Sequence, residues 1–90
     1  MVNVKGKWTL ITGAARGIGY LAAQFMAKQG SNMILQSRNK SHTEKILSEV
    51  KSLGIEAYAV EAELGCEESV RKMLAEIDAF GVNVEIVLNN

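Results

Sequence analysis

Thr12-Gly13-Ala14-Ala15-Arg16-Gly17-Ile18-Gly19 is the stretch on which the reading of this chain turns. Before it runs Trp8-Thr9-Leu10-Ile11, a short apolar and β-branched segment of the kind that forms a buried strand. After it, Ile18, Leu21, Ala22, Phe25 and Met26 recur at intervals of three and four, which predicts one apolar stripe of a helix. A strand, a glycine-rich turn and a helix are the parts of an anion-binding βα junction. Gly13 lets the chain turn sharply off the strand, Gly17 lets backbone amides approach an anion, and Gly19 lets the helix pack close to the strand. The first N–H groups of the helix, at the positive end of its dipole, then point at a phosphate. The alternative is a βα turn that binds nothing. Three glycines and an arginine within eight residues, set between a strand and a well-patterned helix, weigh against it.

Working outward, the pattern repeats. Gly30 stops the first helix, and Asn32-Met33-Ile34-Leu35-Gln36 is a second strand. Ser41-His42-Thr43-Glu44 has the S-x-x-E form of a capping box, followed by a stripe of Ile46, Leu47, Val50 and Leu53 that Gly54 ends. Ala57–Val60 predicts a third strand. Val70, Met73, Leu74, Ile77 and Phe80 predict a third helix face stopped by Gly81, and Val84–Leu88 a fourth strand. Strands alternating with helices imply crossover connections and a parallel sheet, here β-α-β-α-β-α-β. The expected fold class is α/β, a three-layer open parallel sheet with strand order 3-2-1-4. Binding is expected at the carboxyl ends of the strands, where the order reverses between strands 1 and 4.

Composition narrows the partners. At 48% hydrophobic and 22% charged, the 90-residue chain is of ordinary globular make-up, one domain or less, and no apolar run approaches the length of a membrane span. Cys66 is the only cysteine, so neither an internal disulfide nor a cysteine metal cluster is available, and a reducing cytoplasm is the expected setting. The formal net charge of zero conceals an asymmetry: residues 1–43 carry Lys5, Lys7, Arg16, Lys28, Arg38 and Lys40 and no carboxylate. These cations form no dense stripe, which favours a small phosphorylated ligand over nucleic acid.

The glycine loop, with Asn89-Asn90 at the end of the fourth strand, resembles the short-chain dehydrogenase/reductase family. Thr12–Gly19 is similar to that family's cofactor motif, and Asn89-Asn90 to the start of its Asn-Asn-Ala-Gly element. The resemblance covers the whole chain, which would be the first third of a typical member. It implies a Rossmann-like domain of which residues 1–90 are the N-terminal part. It also implies a dinucleotide cofactor and hydride transfer between nicotinamide and a small carbonyl or alcohol substrate. The cofactor-binding positions it assigns are Gly13, Ala14, Ala15, Arg16, Gly17, Ile18, Gly19, Ser37, Arg38, Glu63, Leu64 and Asn89. Glu63-Leu64 stands where the family has Asp-Val or Asp-Leu against the adenine. Asn89 would close the adenine and ribose side, while Asn90 would brace the sheet.

The cofactor's identity turns on strand 2. A NAD site commonly places an acid about 20 residues beyond the glycine loop, on the ribose 2′-hydroxyl. Here Leu35-Gln36-Ser37-Arg38-Asn39-Lys40 has no acid, and Arg38 lies 19 residues past Gly19. A guanidinium forks onto a 2′-phosphate, and in the family a basic residue at the position of Arg16 also faces it. Two cations without a local carboxylate favour NADP(H) over NAD(H).

The family's catalytic Ser and Tyr-x-x-x-Lys pair is missing: Tyr20 is followed four residues later by Gln24, and Tyr58 by Ala62. Both tyrosines read as packing residues, His42 as a surface residue, Cys66 as structural and Trp8 as core rim. The 90 residues are therefore expected to hold cofactor without catalysis. The substrate pocket, and any homo-oligomer contacts, would come from residues beyond Asn90. The rival is a stand-alone, non-catalytic nucleotide-binding or interaction module.

Overall fold

A computed structural model describes residues 3–90. Its elements are β1 (Trp8–Ile11), α1 (Gly17–Lys28), β2 (Asn32–Ser37), a 3-10 turn (Lys40–Thr43), α2 (Glu44–Lys51), β3 (Ala57–Glu61), α3 (Glu67–Ala79) and β4 (Val84–Leu88). The four strands are all parallel and ordered β3-β2-β1-β4, as the alternation predicts. In register, Leu10 lies beside Ile34 and Val87, and Ile11 beside Leu35 and Leu88. Successive strand residues point to opposite faces, so two cores form. Ile11, Met33 and Leu35 share one with Ala23 and Ala27 of α1 and Ile46 and Val50 of α2. Leu10, Ile34 and Val60 share the other with Met73 and Ile77 of α3. The result is three layers, with α1 and α2 on one face and α3 on the other.

Three sequence expectations are corrected. The stripe Ile18-Leu21-Phe25 does not face the core: these residues are 76%, 64% and 56% exposed. The buried side of α1 is Gly19, Ala23 and Ala27. Both sets have helical period, so periodicity alone cannot choose between them. Close approach of helix to sheet chooses the small ones. Leu53 and Leu74 are likewise half-exposed, because α2 ends at Lys51 and α3 turns Met73 and Ile77 inward instead. The capping box does not form. Asn39 Oδ1 accepts from the Ser41 amide and hydroxyl at 2.9 and 2.8 Å, so the asparagine caps the 3-10 turn and α2 begins only at Glu44.

Burial follows position in the sheet. Five of the six β2 residues are buried, whereas β3 and β4, at the two edges, alternate with exposed residues. Tyr20 and Gln24 on α1 reach α2 by donating to Glu49 at 2.6 and 3.0 Å. Glu49 is held below the usual carboxylate range, first by the Tyr20 hydrogen bond and then by that of Gln24. The same bond to Glu49 pushes the Tyr20 phenol up to about 12. Trp8, Tyr58 and Phe80 stack face to face, with ring centroids 5.6 and 4.1 Å apart, near the amino ends of the strands. Both tyrosines and Trp8 are thus packing residues. Among the described residues no helix is long and apolar enough to cross a membrane, and no group of acidic, histidine and cysteine side chains is placed to hold a metal ion.

Candidate functional site

At the carboxyl ends of the strands the glycine loop, the β2 end and the β3–α3 loop surround a cleft of about 730 Å³. The loop is fixed by backbone pairing. Thr12 N–H donates to Leu88 O at 3.1 Å and Ala14 N–H to Gln36 O at 3.0 Å, which tie its start to the strands on either side. Gln36, 2% exposed, completes the tie: its Oε1 accepts from Gly13 N–H and its Nε2 donates to Ala62 O, each at 2.8 Å. One buried amide thereby joins the carboxyl ends of three strands. Spacing gives no sign of this residue. The only available signal is an amide side chain directly after the apolar run Met33-Ile34-Leu35 of a central strand, where it must find partners.

Gly19 sits where α1 meets the loop. A Cβ there would fall on the Gly13 carbonyl oxygen and within 2.9 Å of Asn90 Nδ2, so the close packing depends on glycine. Gly17 has φ +65°, and nothing lies within 4 Å of where its Cβ would stand. The space beside its Cα is open, which leaves room for an anion to approach the loop. The α1 N-terminus has no side-chain cap and no acid in its first turn. Its free N–H groups are therefore left for a partner from outside, and no carboxylate of its own first turn competes for its dipole. The donors and the empty space fit a dinucleotide pyrophosphate.

Of the positions assigned from sequence, Gly13, Ala15, Arg16, Ser37, Arg38, Glu63 and Leu64 line the cleft. Ala14 is buried beneath the loop, and Gly17, Ile18 and Gly19 form the helix start behind it. Ser37 is 4% exposed and gives its hydroxyl to Asn39 O at 2.6 Å. The two asparagines differ from expectation in one respect: Asn89 stands away from the cleft, while Asn90 both lines it and braces the glycine loop. Asn89 Oδ1 accepts from the Thr12 hydroxyl at 2.9 Å and does not line the cleft. Asn90 does line it, and its Nδ2 donates to Gly13 O at 3.2 Å. Both follow the end of β4 at Leu88, and the Thr12 hydroxyl captures the side chain of the first. His42, read from sequence as a surface residue, is exposed at the cleft rim.

The absence of a local carboxylate near Arg38 holds along the chain but not in space. Arg38 Nε lies 3.5 Å from Glu63 Oε2 across the mouth of the cleft. Lys40 is engaged as well, its Nζ 3.3 Å from Glu76 Oε2 and its N–H donating to Glu61 Oε1 at 3.0 Å. The β2–β3 pairing, which places Ser37 beside Glu61, brings the acidic second half of the chain against the basic first half.

Comparison with known proteins follows the same lines. The family model for short chain dehydrogenase matches residues 7–90. The chain is 32% identical over 85 residues to 3-oxoacyl-(acyl-carrier-protein) reductase FabG of Staphylococcus epidermidis, covering 93% of this chain and 35% of that protein. It thus spans about a third of the length of the curated relatives it matches. Among solved structures it superposes on NAD+-bound xylitol dehydrogenase with a TM-score of 0.86 at 28% identity, covering 96% of this chain and 33% of the other. A metagenomic short-chain oxidoreductase in complex with NADP gives the same TM-score at 21% identity, covering 96% and 39%, a likeness of fold. The two neighbours carry different dinucleotides, so the backbone fold does not select between them.

Proposed function

The chain belongs to the short-chain dehydrogenase family, and from that premise we propose that it is the cofactor-binding part of an NADP(H)-dependent oxidoreductase. Residues 1–90 would be the first part of one dinucleotide-binding domain, in a protein that works in the cytoplasm and assembles as a homo-oligomer. The dinucleotide, when bound, supplies or accepts the hydride exchanged with a carbonyl or alcohol carbon. This chain's share is to bind and orient. The uncapped amides at the start of α1, with Gly17 open beside them, hold the pyrophosphate. Gln36 keeps the loop rigid by bonding both Gly13 and Ala62. Leu64 and Glu63 flank the adenine side of the cleft, and Arg38 with Arg16 answers the 2′-phosphate. The catalytic serine, tyrosine and lysine belong to the part of the protein that the longer relatives have in addition.

One observation carries this reading. The same cleft joins an acid-free, uncapped helix N-terminus to two arginines. The test is a pair of fluorescence titrations of the purified chain with NADPH and NADH. NADPH is expected to bind more tightly. Charge-assisted hydrogen bonds of roughly 1.5–3 kcal/mol make Arg38→Ala about ten- to a hundredfold weaker for NADPH. Equal affinity for the two cofactors, or an Arg38→Ala variant with the parent's preference, refutes the NADP(H) assignment. The chain is expected to show no carbonyl-dependent NADPH oxidation, and measurable turnover would refute the division of labour.

A further inference from the structure

We propose that Glu63 is a specificity-determining residue that competes with the ligand's 2′-phosphate for Arg38. The proposal rests on the NADP(H) reading above and adds to it a carboxylate that works against that cofactor. Among the described residues that line the cleft, Glu63 alone has a carboxylate side chain, and its Oε2 lies 3.5 Å from Arg38 Nε. Its backbone is pinned on the β3–α3 loop by the Ser69 hydroxyl, whose oxygen accepts from Glu63 N–H at 2.8 Å. The residue that carries the carboxylate is therefore fixed at the cleft mouth. Lys40, the other cation of this loop, is occupied by Glu76. Arg38 thus faces a choice between one resident anion and one incoming anion.

The choice depends on the ligand. A ligand with a bare 2′-hydroxyl leaves the Arg38–Glu63 pair intact and meets no extra negative charge. A 2′-phosphate draws the guanidinium away from Glu63 and leaves that carboxylate unpaired beside a second anion. Glu63 therefore weakens binding of the phosphorylated ligand alone. Both side chains are largely exposed, at 80% and 57%, so the effect is moderate and salt-sensitive rather than absolute.

The adenosine end of the cofactor suffices as probe. Adenosine 2′,5′-bisphosphate and 5′-AMP are titrated by calorimetry at low ionic strength into the parent chain, Glu63→Gln and Glu63→Gln/Arg38→Ala. Glu63→Gln is expected to tighten the bisphosphate about three- to tenfold, and by more than any change it makes to 5′-AMP through the adenine that both probes share. The gain is expected to shrink when Arg38 is also removed, and in high salt. Equal changes for both probes would mean that Glu63 acts on the adenosine they share, which overturns the inference while the proposed function stands. An unchanged or weakened bisphosphate overturns it in the same way. A parent chain that binds neither probe overturns the proposed function and this inference with it.

Discussion

On one face of the sheet α1 presents Gly19, Ala23 and Ala27 to the core that holds Ile11, Met33 and Leu35. On the other, α3 presents Met73 and Ile77 to the core that holds Leu10, Ile34 and Val60. The first face gives up side-chain volume for proximity. Its helix begins so near β1 that the glycine loop and the helix N-terminus form one binding edge. The second face is filled by larger aliphatic side chains, extended by stacked Trp8, Tyr58 and Phe80, and lines no part of the glycine loop. Each face contributes something different: close approach builds the site, and buried volume supports the sheet that holds it.

The largest break in that contrast is expected from Gly19→Ala. The added methyl collides with the Gly13 carbonyl, which is backbone and cannot swing aside. The variant should lose about 3 kcal/mol in urea unfolding, the upper end of overpacking costs, and should lose NADPH binding. A variant that binds like the parent would show that the close approach is incidental.

On the opposite face the same logic runs in reverse. Ile77 is 8% exposed, so Ile77→Ala should cost about 2–3 kcal/mol by leaving a cavity. Phe25 on α1, 56% exposed, should lose less than about 0.5 kcal/mol when truncated to alanine. Equal losses would mean that the apolar flank of α1 is covered in solution.

The smallest effect sharpens how α1 and α2 are held together. Glu49 is held below its ordinary value when folded, so it contributes stability above the usual carboxylate range that is lost as pH falls through its lowered folded value. Tyr20, raised to about 12, contributes stability that is full below its ordinary value of 10.0 and is lost as pH rises through about 12. Thermal melts of Tyr20→Phe across pH should therefore lose the alkaline limb entirely and part of the acid limb, since Gln24 still donates to Glu49. Melting curves with both limbs unchanged would assign no role to the Tyr20–Glu49 bond.

Legibility in the sequence followed the range of the interaction. The succession of strands and helices, the glycine loop and the arginine at the β2 end are all local patterns, each carried within four to thirteen consecutive residues. Period and composition also delimit α1, because an apolar residue every three or four positions suits a helix wherever it packs. They do not say which side of that helix is buried. Ile18-Leu21-Phe25 and Gly19-Ala23-Ala27 both satisfy the period, and the winner is decided by how near the helix must come to β1.

The sequence by itself thus determined the α/β alternation, the acid-free first 43 residues and a loop shaped for an anion. Those features depend on bonds and spacings within a few residues. The tertiary structure decided what those residues meet. It set Gln36 as the buried knot between three strands, turned Asn90 and not Asn89 toward the cleft, and brought Glu63 to Arg38 from 25 residues away. Charge interaction falls with distance through space, not along the chain. An arginine with no acid near it in sequence therefore acquires one only when β2 and β3 lie side by side.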